Sequence, residues 1–185
     1  MYLIVFAHPD NKGSHNAAIL RHVVNRLKGN HQSFEIIDLY ADKFDPVLRL
    51  TREPEEKTKL VARYRELVSK ADCLVFIHPV WWQSLPAILK GFFDIVFSPG
   101  FAHDFDPNDK KLKKKLEGKK AIVISTFGRS ENEYELHGEA AKFVLDSAVL
   151  GFTGVNVISR INWFDVRPPF IVPPAIVRKI DEALA

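Results

Sequence analysis

Short apolar runs rich in β-branched residues alternate along this chain with longer segments that carry apolar residues at helical spacing. This order is the signature of β-α-β units, which build a parallel sheet. We predict strands over residues 1–7, 33–39, 73–78, 119–125 and 154–161. We predict helices over residues 14–29, 54–70, 85–97, 139–150 and 174–184. The predicted fold class is therefore α/β, with a five-stranded parallel sheet that is doubly wound and carries helices on both faces.

The composition fits a single domain over residues 1–185, since typical domains contain ~100 to 200 residues. With 46% hydrophobic and 26% charged residues, the chain is close to the globular average, which excludes disorder, collagen and coiled coil for the chain as a whole. Cys73 is the only cysteine, so one chain forms neither an intramolecular disulfide nor a cysteine-based metal cluster.

The first residues form an apolar run with no basic leader and no small-residue cleavage site, so we expect no signal peptide. No apolar stretch approaches the ~20 residues that a membrane-spanning helix needs. Together with the lack of disulfides, these features lead us to expect a cytoplasmic protein.

A doubly wound parallel sheet binds its ligand beyond the carboxyl ends of its strands, at the point where the strand order reverses. The functional residues are therefore expected in the loops after the first, third and fourth strands. These loops cover residues 7–16, 79–86 and 125–134.

The first of these loops runs from Ala7 into the start of a helix, where unpaired backbone N–H groups and the helix dipole favour an anion. It lacks the glycine pattern of dinucleotide and ATP-type phosphate loops. A phosphate here would be held by main-chain donors and by His8, Lys12, Ser14 and Asn16. The alternative is that Ser14 only caps the helix and that His8 is only a polar residue at a strand end.

Two adjacent tryptophans, Trp81 and Trp82, follow the central strand. Both cannot face inward, so at least one is free to form the wall of a site for a planar ligand, and tryptophan offers a flat surface at low entropic cost. Main-chain amides of this proline-bracketed turn can bond the edge of a heteroaromatic ring. The alternative is that the pair supports the loop or forms a subunit contact.

Several motifs carry a family resemblance, and they span roughly residues 1–155. They are Ala7-His8-Pro9 with Ser14-His15-Asn16, Asp38-Leu39-Tyr40 with Phe44-Asp45-Pro46, Pro79-Val80-Trp81-Trp82 through Pro86-Ala87-Ile88-Leu89-Lys90-Gly91, Pro99-Gly100-Phe101-Ala102 and Gly118-Lys119-Lys120. In order and place they resemble the flavodoxin-like NAD(P)H:quinone oxidoreductase family, which includes DT-diaphorase, the modulator-of-drug-activity proteins and the ancillary subunits of glutathione-gated potassium efflux systems. The resemblance implies a flavodoxin-like fold.

The resemblance also implies a flavin, FAD or FMN, with its phosphate against the first loop and its isoalloxazine ring against the loops after the third and fourth strands. The implied cofactor-binding residues are His8, Ser14, His15, Asn16, Pro79, Val80, Trp81, Trp82, Gln83, Thr126, Phe127, Gly128 and Arg129. The family carries Thr-Thr-Gly-Gly where this chain has residues 126–129, so the match is partial there. Arg129 either pairs with a nucleotide phosphate or points to solvent.

Two residues are implied to be catalytic. Tyr134 matches the family's tyrosine beside the flavin. His137 is the nearest candidate for the family's histidine, at a shorter spacing than in the larger members. Donors from the loop that contains Gly128, with Tyr134 or a histidine, are expected to stabilise the charge that develops on the reduced ring.

Phe101, His103 and Phe105 fall in a loop that roofs the family's active site, often across a dimer interface. The alternative is an ordinary surface loop. Asp104 and Asp106 lie close to His103 in the sequence, but three such groups on a polar loop are more often solvated than metal-bound, and we predict no metal.

The implied activity is that of an NAD(P)H dehydrogenase (quinone): a hydride passes from NAD(P)H through the flavin to a quinone-type acceptor in a two-electron step. A homodimer is expected. Two other functions stay open, a flavin-binding regulatory subunit of a membrane potassium efflux system and a flavodoxin-type electron carrier. A carrier usually needs strong charge complementarity with its partner, and the net charge here is only +3.

Much of the positive charge lies in the run Lys110-Lys111-Leu112-Lys113-Lys114-Lys115. The run lacks interleaved aromatic residues and a recognised binding module, so nucleic-acid binding is not expected and a solvated face is favoured. The other interpretations are attraction of the phosphates of NADPH and contact with an anionic membrane surface.

Overall fold

A computed structural model of the chain describes residues 1–49, 55–136 and 139–185. The strands, in chain order, are β1 (Tyr2–Phe6), β2 (Phe34–Asp38), β3 (Cys73–Pro79), β4 (His103–Phe105), β5 (Leu112–Lys114), β6 (Lys120–Thr126) and β7 (Asn156–Trp163). The helices are α1 (His15–Gly29), α2 (Glu55–Lys70), α3 (Ala87–Val96), α4 (Glu131–Leu136), α5 (Ala140–Lys142), a π-helical segment that continues α5 (Phe143–Gly151), and α6 (Pro174–Ala183).

Five strands form one parallel sheet in the order β2-β1-β3-β6-β7, which confirms the predicted doubly wound α/β architecture. The chain first moves outward from β1 to β2 and then returns to place β3 on the other side of β1. The strand order therefore reverses between β1 and β3, and a crevice is expected beyond the carboxyl ends of these two strands.

The central strand β3 is buried along its whole length, because helices cover both faces of the sheet. Its alternate side chains supply the two halves of the core. Leu74 and Phe76 pack in the cluster that includes α2 and α3. Val75 and Ile77 pack in the cluster that includes α1 and α6. The nearly continuous apolar sequence of β3 is thus explained by burial on both faces of the sheet.

Two predicted segments differ from the structure. The segment that contains Phe101, His103 and Phe105 was expected to be a loop, but β4 and β5 pair there as a short antiparallel ribbon. The ribbon escapes pattern analysis because its strands have only three residues each, too few to show an alternation. The helix expected over residues 139–150 is instead mainly π-helical. Pro54, the expected start of the second helix, lies outside the described residues.

No helix within the described ranges combines the length and the apolar character that crossing a membrane requires.

Candidate functional site

A cavity of about 560 Å³ lies beyond the carboxyl ends of β1, β3 and β6, where the strand order reverses. This volume is in the range of small-molecule sites. The residues that line it are His8, His15, Asn16, Pro79, Val80, Trp81, Trp82, Gln83, Thr126, Phe127, Gly128, Arg129 and Val166. The three loops expected from the sequence thus meet around one space, and of the predicted cofactor-binding residues only Ser14 is outside this lining.

Ser14 serves the start of α1 instead. Its hydroxyl accepts a hydrogen bond from the Ala17 N–H at 3.1 Å and donates to the Asp10 carbonyl at 2.6 Å. The Asp10 carboxylate in turn accepts from the backbone N–H groups of Gly13 and Lys12, which lowers its pKa. The loop is therefore braced internally, as the helix-cap alternative proposed, and direct contact of Ser14 with a ligand stays a prediction.

His8 stands at the end of β1 on the same side of the cavity. Its Nδ1 lies 3.0 Å from the backbone atoms of Asp10, so Nε2 is the ring nitrogen left for a ligand. Burial lowers the pKa of His8. The ring centroid is 6.0 Å from that of Trp81. His8 thus presents a largely neutral imidazole between the first and second loops.

The loop after β3 is a tight turn with an unusual backbone. The Trp81 N–H donates to the Ser84 carbonyl at 3.1 Å and the Ser84 N–H donates back to Trp81 at 3.0 Å. The two residues between them, Trp82 and Gln83, have φ angles of +52° and +61°. Such turns favour Asn-Gly, because side chains strain the left-handed backbone. Strain of this kind is typical of functional sites.

The two tryptophans have different environments. Trp81 is 41% exposed and Trp82 is 99% exposed. A fully exposed tryptophan supports nothing within its own chain, so the buttress alternative does not apply to Trp82. Its indole ring stands at the rim of the cavity, where a ligand or another protein surface can cover it.

Buried polar atoms without partners point into this region. The Asn16 side chain is 2% exposed; its Nδ2 donates to Thr126 Oγ1 at 2.8 Å, while its Oδ1 has no partner in the structure. Both amide atoms of Gln83 are also buried without partners. Unpaired buried polar atoms are costly and normally satisfied. On a cavity wall they indicate a ligand that carries both hydrogen-bond donors and acceptors.

The buried side chain of His78 supports the turn after β3. The ring is fully buried; its Nδ1 lies 2.9 Å from the Pro79 carbonyl and its Nε2 lies 3.2 Å from Ser125 Oγ. A carbonyl only accepts, so Nδ1 carries the proton and Nε2 accepts from the serine. Burial lowers the pKa of His78 to about 4. A neutral imidazole thus ties the end of β3 to β6, and the Val80 N–H strengthens this connection by donating to Thr126 at 2.8 Å.

Tyr134 lies outside the lining, in a small aromatic cluster behind Phe127. Its ring centroid is 4.6 Å from that of Phe127, and the Phe164 ring packs 4.5 Å from Phe127 on the other side. The hydroxyl accepts from the Lys142 N–H at 3.2 Å, and burial raises its pKa. In this position Tyr134 supports the cavity wall; its catalytic role stays a prediction. His137 lies outside the described residues.

Sequence analysis missed the segment after β7. Val166 lines the cavity, and its N–H donates to the Phe127 carbonyl at 3.0 Å. Arg167 donates from NH1 to the Gly128 carbonyl at 3.0 Å, and its own carbonyl lies 2.9 Å from His15 Nε2. The motifs end near residue 155, so nothing in the sequence linked this segment to the site.

The three residues expected to roof the site do not line the cavity of their own chain. Phe101 packs under the Arg65 guanidinium, 5.4 Å from its ring centroid. His103 lines a separate cavity of about 240 Å³ and packs against Phe152 at 5.0 Å. Phe105 is 51% exposed. These residues therefore do not roof the cavity within one chain, and their role as a roof stays a prediction.

The lysine run is largely neutralised by its own ribbon. Its ion pairs are Lys111 with Asp109 at 2.7 Å, Lys113 with Asp106 at 2.7 Å and Lys115 with Asp104 at 3.6 Å. The pairs favour the solvated-face interpretation over a field that attracts anions. Among the described residues, no group of three or more His, Cys, Asp or Glu side chains is arranged to hold a metal ion.

Comparison with known proteins places this geometry among flavodoxin-like proteins. A family model described as flavodoxin-like fold matches residues 2–185. The chain is 31% identical over 182 residues to the NAD(P)H dehydrogenase (quinone) 1 of Cavia porcellus, an alignment that covers 84% of this chain. It is 31% identical over 174 residues to the FMN-dependent NADH:quinone oxidoreductase of Clostridium beijerinckii, which covers 88% of this chain and 83% of the relative.

A solved structure extends the likeness to three dimensions. The NAD(P)H:quinone oxidoreductase from Methanothermobacter marburgensis superposes with a TM-score of 0.80 at 25% identity, covering 98% of this chain and 93% of the other. The Cavia porcellus relative is longer, and the alignment spans only 65% of it.

Proposed function

The chain belongs to the flavodoxin-like fold family, and from this membership we propose that it is a flavin-dependent NAD(P)H:quinone oxidoreductase. One observation carries the proposal: the cavity at the sheet's switch point presents unpaired buried amide atoms from Asn16 and Gln83 beside a buried aromatic wall. A flavin has both of the features that this lining requires, a flat apolar ring system and a polar edge that alternates donors and acceptors.

The residues present fit a flavin at each part of the cavity. The backbone N–H groups of the first turn of α1, with His8, would hold the phosphate, because amide groups at a helix start attract anions. Asn16 Oδ1 can only accept, so it would bond a hydroxyl or N–H group of the flavin and not the phosphate. Phe127 and Trp81 would form apolar walls for the ring, and the amide of Gln83 would bond its polar edge. When bound, the flavin accepts a hydride from NAD(P)H and delivers two electrons to a quinone.

We propose FMN as the flavin. The Clostridium beijerinckii relative, which aligns with 88% of this chain, is named for FMN. The groups that would hold the phosphate are the first turn of α1 and His8, and one phosphate is sufficient for them. FAD is the alternative outcome of the same measurement.

The chain's own part in the reaction is to position the ring and to exclude water. The connection between β3 and β6 through His78 fixes the turn against which the ring would lie. The acceptor face must remain open to let NAD(P)H and the quinone enter in turn. We propose a homodimer in which Phe105 and the exposed Trp82 are covered by the partner, so that the ribbon roofs the partner's cavity.

The decisive experiment is to purify the protein, record its visible spectrum and identify the released chromophore by mass. We expect a yellow protein that releases FMN, is bleached anaerobically by NADH or NADPH, and is reoxidised by a benzoquinone. A colourless protein that does not quench the fluorescence of added FMN or FAD would contradict the proposal.

Two variants test the proposed role of Asn16 in flavin binding. Asn16→Ala removes the buried amide, and we expect the Kd for FMN to rise about tenfold, in line with the loss of one or two hydrogen bonds. Asn25→Ala changes an exposed residue on the same helix and is expected to leave the Kd unchanged. Equal affinities for the two variants would remove Asn16 from the site.

A further inference from the structure

Two arginines lie on neighbouring loops beside the cavity. Arg129 lines it directly, at the end of the loop after β6. Arg167 comes from the segment after β7, and its NH1 donates to the carbonyls of Gly128 at 3.0 Å and Val166 at 2.9 Å. The Asp165 N–H donates to the Arg129 carbonyl at 3.0 Å, which joins the two loops again. These bonds join the two loops and bring the Arg167 guanidinium to the carbonyl of the residue before Arg129.

Neither guanidinium is neutralised within the part of the chain that the structure describes. Arg129 makes no side-chain hydrogen bond or ion pair there, and Arg167 uses only NH1, on carbonyl groups, so its Nε and NH2 remain free to donate. The neighbouring carboxylates of Asp165 and Glu131 make no ion pair with either arginine. In the lysine run over residues 110–115, by contrast, Lys111 and Lys113 form ion pairs with aspartates.

We propose that Arg129 and Arg167 form a phosphate-binding pair and that its ligand is the 2′-phosphate of NADPH; this inference rests on the proposed function. A phosphate monoester carries close to two negative charges and three free oxygens, which two guanidinium forks can share. The pyrophosphate of a dinucleotide offers only one charge per phosphorus. Arg167 also borders the first turn of α1, since its carbonyl lies 2.9 Å from His15 Nε2, so the flavin phosphate is the competing ligand for this pair.

Binding to the FMN-loaded protein tests the pair without turnover. We expect NADP⁺ to bind at least about tenfold more tightly than NAD⁺, which lacks only the 2′-phosphate, as measured by calorimetry. Arg129→Ala and Arg167→Ala should each reduce this preference for NADP⁺ over NAD⁺ about tenfold. Arg178→Ala alters an exposed arginine on α6 and serves as the matched control.

Steady-state kinetics provide the second measurement. In both variants the ratio of the KM for NADPH to the KM for NADH should rise about tenfold. An equal rise in the KM for both nucleotides would assign the pair to the pyrophosphate, and a loss of retained flavin would assign it to the cofactor. Either result overturns the inference. Equal use of NADH and NADPH by the unaltered protein overturns it as well. Quinone reduction with NADH in these same preparations shows that the proposed function itself stands.

Discussion

At the scale of single residues, His78 makes the clearest prediction, for stability against pH. The pKa of an unfolded histidine is about 6.5, and that of His78 in the fold is about 4. Between these values the unfolded chain binds a proton that the folded chain does not, so the free energy of unfolding falls as the pH falls from 6.5 to 4. The whole effect is about 3 kcal/mol, and above pH 6.5 the group contributes no pH dependence.

His78→Asn keeps a donor near the Pro79 carbonyl but cannot titrate. We expect this variant to lose most of the decline in stability between pH 6.5 and 4, measured by urea unfolding at several pH values. His31→Asn is the control, because His31 is exposed and has a positive φ angle that asparagine tolerates. If both variants kept the slope of the unaltered protein, His78 would not be the buried group responsible.

Gly91 shows how a single residue fixes an element. A Cβ at this position would lie 2.3 Å from the Pro46 Cβ and 2.5 Å from the Pro46 carbonyl oxygen, so α3 approaches the loop after β2 too closely for any side chain. We expect Gly91→Ala to lower the free energy of unfolding by about 1–3 kcal/mol, since either the helix or the loop must move. Gly29→Ala, at a site with open space, should stay within about 1 kcal/mol of the unaltered protein. Denaturant melts of both variants would reveal an equal change if the close approach were unimportant.

At the scale of elements, the turn after β3 has a strained backbone at two residues that line the cavity, Trp82 and Gln83. Replacing Trp82 and Gln83 by Asn-Gly suits the two positive φ angles, and we expect it to raise the free energy of unfolding by about 1–2 kcal/mol. The same change removes the amide that would bond the flavin, so the Kd for FMN should rise about tenfold. Lys43→Gly relieves a positive φ far from the cavity and should stabilise without changing the Kd. A tighter flavin complex after the Asn-Gly replacement would contradict the role of this turn.

The elements also show what the sequence could and could not reveal. β3 was visible because burial on both faces demands a continuous apolar run, and the helix cap at Ser14 followed from local chemistry. The β4–β5 ribbon is too short to show an apolar alternation, although Phe105 pairs with Leu112 in it. Val166 reaches the cavity through long-range hydrogen bonds to residues 127 and 128, which no local pattern encodes. Local rules therefore recover the sheet and its loops, while contacts between distant segments appear only in the fold.

At the scale of the whole molecule, ligand binding in the cavity changes the stability of the fold. The unpaired atoms of Asn16 and Gln83 lower the stability of the protein without ligand. A ligand that binds only the folded chain raises the free energy of unfolding by mass action. At an FMN concentration of 100 times Kd this linkage adds about 2.7 kcal/mol.

For a chain of this length such a gain corresponds to a rise of about 5–10 °C in the thermal midpoint, which differential scanning calorimetry measures directly. Asn16→Ala, with a tenfold higher Kd, should show about half of that rise at the same FMN concentration, because each tenfold in Kd is worth about 1.4 kcal/mol. Asn25→Ala should show the full rise. If FMN left all three midpoints unmoved, the cavity would not be its binding site, whatever the similarity of the fold.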